Sequence, residues 1–190
     1  MIRVVIIIVN YRTADLVRAC LDSLAADSWI AQHCRVVIVD NASGDGSAGR
    51  LRHAAAPWED WVSLMESPAN SGFAAGNNLA IRAVMEAAER PEYVLLLNPD
   101  TIVDVGAVGT LVGFMEQHRA VGIAGSRLRD LNGMAQTSAF RFHNILGELE
   151  SGLRLGMASR IFTVALIDPK NIQQISEVTI AERKSVKVNS

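Results

Sequence analysis

The sequence has 190 residues, of which 49% are hydrophobic and 20% charged, so it favours one globular domain and excludes a disordered chain. The formal net charge is -2 and the basic residues are scattered, which predicts no nucleic-acid surface. Two cysteines are too few for a disulfide framework, so we expect a cytoplasmic protein, with peripheral attachment to the inner face of the membrane left open.

The first element is predicted from an uninterrupted apolar run, Val4-Val5-Ile6-Ile7-Ile8-Val9. This run is far shorter than the ~20 residues of a membrane-spanning helix, and it lacks the cleavage site of a signal peptide. Its β-branched residues indicate a strand over residues 3–9 that is buried on both faces. No transmembrane segment is predicted.

Helices and strands then alternate along the chain. Thr13 predicts the start of a helix that continues to Leu24. The later predicted elements are a strand at 35–39, a helix through Leu51, a strand at 61–65, a helix at 72–89, a strand at 93–97, a helix at about 105–118 and a strand at 120–125. This order indicates an α/β protein with a mainly parallel sheet and helices on both faces.

The pattern weakens towards the C-terminus. Residues 133–141 are predicted to be extended, and residues 146–157 to form one amphipathic helix. We therefore expect one domain over residues 1–157, followed by a divergent tail over 158–190 to which the sequence assigns no role.

Polar residues follow two of the predicted buried strands. Ligands of such sheets bind beyond the carboxyl ends of the strands, so these residues should face one crevice. Asp100, on a turn fixed by Pro99, can hold a divalent cation that a diphosphate also binds. The alternative is that Asp100 caps a turn or the next helix.

Asp40 ends the predicted strand at 35–39. Its carboxylate can accept a hydrogen bond from a ring N–H of a pyrimidine base, or it can form a local turn with Ser43 or Gly44. Tyr11 follows the first strand and can stack on a base, although a tyrosine in this position can equally serve packing alone.

The segment Asn70-Ser71-Gly72-Phe73-Ala74-Ala75-Gly76-Asn77-Asn78 precedes and begins a predicted helix. Its glycines let a ligand approach the backbone, and the helix N-terminus favours an anionic diphosphate. Its asparagines offer donors and acceptors for sugar hydroxyls. The alternative is a glycine-rich turn with capping asparagines.

The order of these motifs resembles glycosyltransferase family 2, and within it the bacterial rhamnosyltransferase-like branch. The resemblance rests on Val9-Asn10-Tyr11, on residues 39–47 (VDNASGDGS), on residues 70–78 (NSGFAAGNN) and on residues 95–101 (LLLNPDT). It continues weakly to about residue 157.

The resemblance implies a GT-A, Rossmann-like fold, a UDP- or dTDP-sugar donor, Mg²⁺ or Mn²⁺, and inversion at the anomeric carbon. Asp100 would be the metal ligand, and Asn98 occupies the first acidic position of the family's Asp-X-Asp motif. The implied nucleotide-sugar site consists of Val9, Tyr11, Asp40, Asn41, Asn70, Gly72, Gly76, Asn77 and Asn98.

The resemblance also implies a catalytic base from a later acidic pair, and no matching segment is found, so we expect a domain that is incomplete at its C-terminus. One hypothesis is an enzyme that transfers a sugar, with rhamnose as a candidate, to a cell-surface polysaccharide or a lipid-linked acceptor. The other is a non-catalytic nucleotide-binding module. A nicotinamide oxidoreductase is disfavoured because no Gly-X-Gly-X-X-Gly follows the first strand. A homodimer remains open.

Overall fold

The computed structural model describes residues 2–126, 128–129, 134–136 and 165–167. Its strands are β1 Val4–Asn10, β2 Cys34–Asp40, β3 Val62–Glu66, β4 Tyr93–Leu97, β5 Ile123–Gly125, β6 Leu128–Arg129, β7 Ala135–Gln136 and β8 Ala165–Ile167. Its helices are α1 Ala14–Ala25, α2 Ser28–His33, α3 Ser47–Ala55, α4 Gly72–Glu86 and α5 Ala107–Gln117, with a 3₁₀ turn at Ala56–Trp58.

The main sheet has the strand order β3-β2-β1-β4-β8-β5. Strands β3, β2, β1 and β4 are parallel, which confirms the predicted α/β class with a mainly parallel sheet. β8 is antiparallel to both β4 and β5, while β6 and β7 pair separately. Along the chain, β2 is added beside β1 and β3 beside β2, and β4 is then added on the opposite side of β1. Such a reversal of strand order opens a crevice at the carboxyl ends of the strands.

The central strand β1 is buried along its whole length. Val4, Ile6 and Ile8 pack in a core with residues of α1, α3 and α5. The alternate residues of β1 pack in a second core with α4. Because side chains alternate across a strand, this division places helices on both faces of the sheet, as predicted.

Most predicted elements are present with small shifts of their ends. The strand at 93–97 matches, whereas the helix predicted to reach residue 89 ends at Glu86. The short helix α2 was not predicted; Asp27 caps it by accepting a hydrogen bond from the backbone N–H of Trp29.

The predictions for the C-terminal segment fall partly outside the described residues. The extended segment predicted over 133–141 contains β7, while the helix predicted over 146–157 lies outside the described residues. β8 belongs to the main sheet although it falls within the segment 158–190. The domain boundary at residue 157 stays a prediction. None of the helices in the described ranges is long and apolar enough to cross a membrane.

Candidate functional site

Three neighbouring strands end at the same edge of the sheet. Asn10 at the end of β1 pairs with Asp40 at the end of β2, and Ile8 of β1 pairs with Leu97 at the end of β4. Since β1 lies between the other two, the ends of β2 and β4 are about 10 Å apart, twice the normal strand spacing. The motifs after β1, β2 and β4 therefore share one edge, as expected.

A cleft of about 270 Å³ lies at this edge, on the side of the sheet covered by α4. Tyr11 and Phe73 are 42% and 43% exposed, so part of each aromatic ring is accessible to a ligand. The cleft combines apolar and aromatic walls with two amides and a glycine. Its lining consists of Val9, Tyr11, Asn41, Asn70, Gly72 and Phe73.

Five of the predicted site residues thus come together, and Phe73 joins them. Phe73 lies inside the glycine-rich motif but was not singled out, because an apolar residue at the start of a helix gives no signal that distinguishes ligand contact from packing.

Asn41 carries the most informative contacts in the cleft. Its side chain is buried, and its Nδ2 donates to Asn70 Oδ1 at 2.8 Å and to the carbonyl of Gly72 at 3.2 Å. These two acceptors fix the orientation of the amide. Asn41 Oδ1 is buried and has no hydrogen-bond partner within the described part of the chain. Asn41 is thus a residue of the cleft wall whose buried acceptor is unused, and a buried acceptor is stabilised by a donor.

Asp40 faces away from this cleft. Its Oδ1 accepts hydrogen bonds from Asn10 Nδ2 at 2.7 Å and from Ser43 Oγ at 2.5 Å. Its Oδ2 accepts from the backbone N–H of Ser43 at 3.2 Å, which is the local turn named as the alternative role. Asp40 is 5% exposed and does not line the cleft. Its direct bond to a base stays a prediction.

Gly76 lies under the cleft, where α4 packs on β1. A Cβ added to Gly76 would come within 2.9 Å of Val9 Cγ1, so the glycine permits this close approach. Asn77 is buried, with Nδ2 donating to the carbonyl of Phe73 and with Oδ1 unpartnered among the described residues. Neither Gly76 nor Asn77 lines the cleft, and their ligand contacts stay predictions.

Asp100 lies on the loop that follows β4 and is exposed to solvent. Within the described residues, its side chain makes neither a hydrogen bond nor an ion pair. Nearby, Asn98 is buried, and its carbonyl accepts a weak hydrogen bond from Cys20 Sγ at 4.0 Å. Burial, together with the negative charge of Asp100, raises the pKa of Cys20 to about 12.

The backbone of this loop is fixed by two side chains, one near the C-terminal end of α1 and one at the N-cap of α2. Ser23 Oγ accepts from the N–H of Val103 at 3.0 Å, and Asp27 Oδ2 accepts from the N–H of Gly106 at 2.8 Å. Asp27 is 4% exposed and also caps α2. The loop is therefore anchored through its main chain, while the carboxylate that it carries is left accessible.

A metal held by the protein alone does not fit this site. In the described ranges, no group of three or more His, Cys, Asp or Glu side chains could hold an ion. A single accessible carboxylate does fit a hard cation whose other ligands are diphosphate oxygens and water. The residues present are therefore suited to a cation that arrives with a phosphorylated ligand.

The fold and the cleft define a GT-A-like domain. A mannosyltransferase from Pyrobaculum calidifontis, solved with GDP-Man and Mn²⁺, matches with a TM-score of 0.59 and 25% identity, over 67% of this chain and 36% of that one. S. aureus TarS, solved with UDP-GlcNAc, matches with a TM-score of 0.65 and 16% identity, over 93% and 48%.

Residues 5–165 match the sequence profile of glycosyl transferase family 2, and the chain belongs to that family. The poly(ribitol-phosphate) beta-glucosyltransferase of Bacillus spizizenii is 25% identical over 131 residues, which are 69% of this chain and 20% of that enzyme. This chain therefore spans a fifth of that relative's length and about half or less of the two structural neighbours' lengths.

Proposed function

We propose that this protein binds a UDP- or dTDP-sugar together with Mg²⁺ or Mn²⁺ and transfers the sugar with inversion. The observation that carries the proposal is the cleft at the carboxyl edge of the sheet, whose wall combines two partly exposed aromatic rings with Asn41, a residue with an unused buried acceptor. Family membership and a structural neighbour solved with a nucleotide sugar and Mn²⁺ support it.

The cleft favours a base with a ring N–H. Asn41 Nδ2 is committed to two protein carbonyls, so Oδ1 is the atom of this amide left for a ligand that displaces the groups covering it, and it can only accept. Uracil, thymine and guanine carry a ring N–H at the edge where cytosine and adenine have an acceptor nitrogen, and the choice of UDP or dTDP among these follows the family resemblance. The rings of Tyr11 and Phe73 provide stacking surfaces, and stacking on an aromatic side chain contributes about 1–3 kcal/mol per base.

The diphosphate is assigned to the region between the N-terminus of α4 and Asp100. Helix N-termini favour anions because their first N–H groups lack partners within the helix. Gly72 begins α4 and also lines the cleft, so a nucleotide stacked there leads its phosphates to this terminus. When bound, the cation would neutralise the charge on the departing diphosphate.

The proposed reaction is a single displacement. The acceptor hydroxyl attacks the anomeric carbon opposite the diphosphate, the bond from that carbon to the diphosphate oxygen breaks, and a general base takes the hydroxyl proton. We assign that base to no described residue. Rhamnose is the proposed sugar, and a saccharide or lipid-linked acceptor of the cell surface is the proposed acceptor.

Isothermal titration of UDP and dTDP, with and without Mn²⁺, tests the proposal. We expect Asp100→Ala to weaken binding about tenfold when Mn²⁺ is present, which corresponds to about 1.4 kcal/mol, and to have little effect without metal. Asp104→Ala is a matched control, because Asp104 is an exposed carboxylate on the same loop that pairs with Arg129.

Two results would contradict the proposal. If the unaltered protein binds neither UDP nor dTDP, the proposed nucleotide-binding role is refuted. If its affinities with and without Mn²⁺ are equal, the proposed metal-binding role is refuted. Binding without transfer of a labelled sugar to any acceptor would favour the non-catalytic module instead.

A further inference from the structure

Two turns of the site have an unusual backbone conformation. Arg12 has φ 58° and Ala42 has φ 54°, and both residues carry a Cβ that disfavours this left-handed region. Each directly follows a residue of the cleft, since Tyr11 precedes Arg12 and Asn41 precedes Ala42. Strained conformations of this kind persist where the surrounding structure holds them.

One buried hydroxyl joins the two turns. Ser43 Oγ accepts hydrogen bonds from the backbone N–H of Arg12 at 3.0 Å and from Asn10 Nδ2 at 3.1 Å, and it donates to Asp40 Oδ1 at 2.5 Å. Ser43 is 1% exposed. A hydroxyl has one donor and two acceptor sites, so all three sites are used.

Further contacts complete the same network. The carbonyl of Ser43 accepts from Arg12 Nε at 3.1 Å, so the strained residue is held by its side chain as well as by its backbone. Asn10 Oδ1 accepts from the N–H and the hydroxyl of Thr13, at 3.1 and 3.0 Å. The turn after β1 and the turn after β2 therefore form one hydrogen-bonded unit.

We propose that Ser43 is a positioning residue for the nucleotide site and that it acts through Asp40 and Asn10. It lies behind the cleft and does not line it. Its hydroxyl accepts directly from the N–H of the strained Arg12 and, by donating to Asp40 Oδ1, closes the turn that contains the strained Ala42. These two turns carry Tyr11 and Asn41, which line the cleft. The inference rests on the proposed nucleotide-binding function.

The first test is the variant Ser43→Ala. It leaves the N–H of Arg12 and Nδ2 of Asn10 each short of an acceptor, so we expect UDP or dTDP affinity to fall about tenfold at a temperature where the protein is folded. Ile30→Val is the control, because it trims a fully buried side chain of α2 and lowers stability without touching the two turns. We expect its affinity to be unchanged.

Rescue by glycine separates positioning from a loss of stability. Glycine adopts positive φ without strain. We therefore expect the double variant Ser43→Ala, Ala42→Gly to recover, on a logarithmic scale, at least half of the nucleotide affinity that Ser43→Ala loses. Adding Ala42→Gly to Tyr11→Ala should not raise nucleotide affinity, because the Tyr11→Ala variant lacks the stacking ring itself. Absence of rescue in the first pair, or equal rescue in both, would overturn the proposal.

A measurement without nucleotide distinguishes this inference from the proposed function. In ¹⁵N-resolved NMR spectra of the free protein, Ser43→Ala should shift the backbone amide of Arg12 and the side-chain amide of Asn41. Unchanged signals would overturn the positioning role even if nucleotide binds. Shifted signals in a protein that binds no nucleotide would uphold the coupling of the turns and refute the function on which the inference rests.

Discussion

The two halves of the candidate site are built in opposite ways. On the β1–β2 side, Asn41 and Ser43 are 2% and 1% exposed, and their side chains are held by hydrogen bonds, although Asn41 Oδ1 lacks a partner among the described residues. On the β4 side, Asp100 is exposed and has no side-chain partner among the described residues. Only the backbone of its loop is fixed, by Ser23 and Asp27.

Under the proposed function, this difference corresponds to separate roles: the β1–β2 side (the base half) binds the base, and the β4 side (the metal half) binds the cation. Buried groups that are already oriented lose little further freedom on binding, so they suit recognition of a rigid, planar base. A lone hydrated carboxylate binds a hard cation only weakly without help, and gains affinity when the ligand brings further oxygens. We expect the base half to be formed in the free protein and the metal half to be completed by the ligand.

The sharpest contrast between the halves is the effect of removing one carboxylate from each. Asp40→Ala leaves three donors, on Asn10 and Ser43, without their acceptor, and we expect a loss of about 3 kcal/mol in the free energy of unfolding. Asp100→Ala should change that free energy by less than about 0.5 kcal/mol. Urea denaturation followed by circular dichroism measures both. Similar losses in the two variants would refute the contrast.

A smaller effect is expected where the metal half is anchored. Asp27→Ala removes the acceptor from the N–H groups of Trp29 and Gly106, so we expect a loss of about 2 kcal/mol in stability. Nucleotide affinity should fall about threefold with Mn²⁺ and remain unchanged without it. Asp22→Ala, on the exposed face of α1, is the control. Equal weakening with and without Mn²⁺ would show that the loop serves more than the cation.

The smallest effect is predicted beneath the base half. Gly76→Ala places a methyl group 2.9 Å from Val9 Cγ1, and valine has little rotamer freedom with which to give way. Overpacking of about 2 kcal/mol, less about 1 kcal/mol of gained helix propensity, leaves a net loss of about 1 kcal/mol. Gly113→Ala on α5 meets nothing within 4 Å and should be neutral or stabilising. Thermal unfolding that ranks Gly76→Ala at or above the unaltered protein would contradict this packing.

The sequence was sufficient to place the motifs at one edge of the sheet. Continuous apolar strands separated by helices imply parallel pairing, and the carboxyl ends of parallel strands meet at one edge. The pairing of Asn10 with Asp40 and of Ile8 with Leu97 agrees with this expectation. The missed helix α2 was too short for a helical period to be visible.

The face on which each residue lies could not be read from the sequence. β2 is apolar at nearly every position, so no alternation shows whether Asp40 or Asn41 points towards α4. The packing of α4 against Val9 and Val39 decides this, and it places Asn41 in the cleft. Leu16 follows the helical spacing of the apolar residues of α1 and is nevertheless 47% exposed, because periodicity locates an apolar stripe but not its edges.

Side chains alternate between the two faces of the sheet along β2 and the residue that follows it, so the neighbours Asp40 and Asn41 lie on opposite faces. Asp40 holds the two turns together from one side of the sheet, and Asn41 lines the cleft on the other. A substitution at position 41 therefore changes the contacts of the cleft wall with Asn70 and Gly72, while the network of Asp40, Asn10 and Ser43 on the other face keeps its hydrogen bonds. If the proposed function holds, the residues that select the base can vary without rebuilding the turns that carry them.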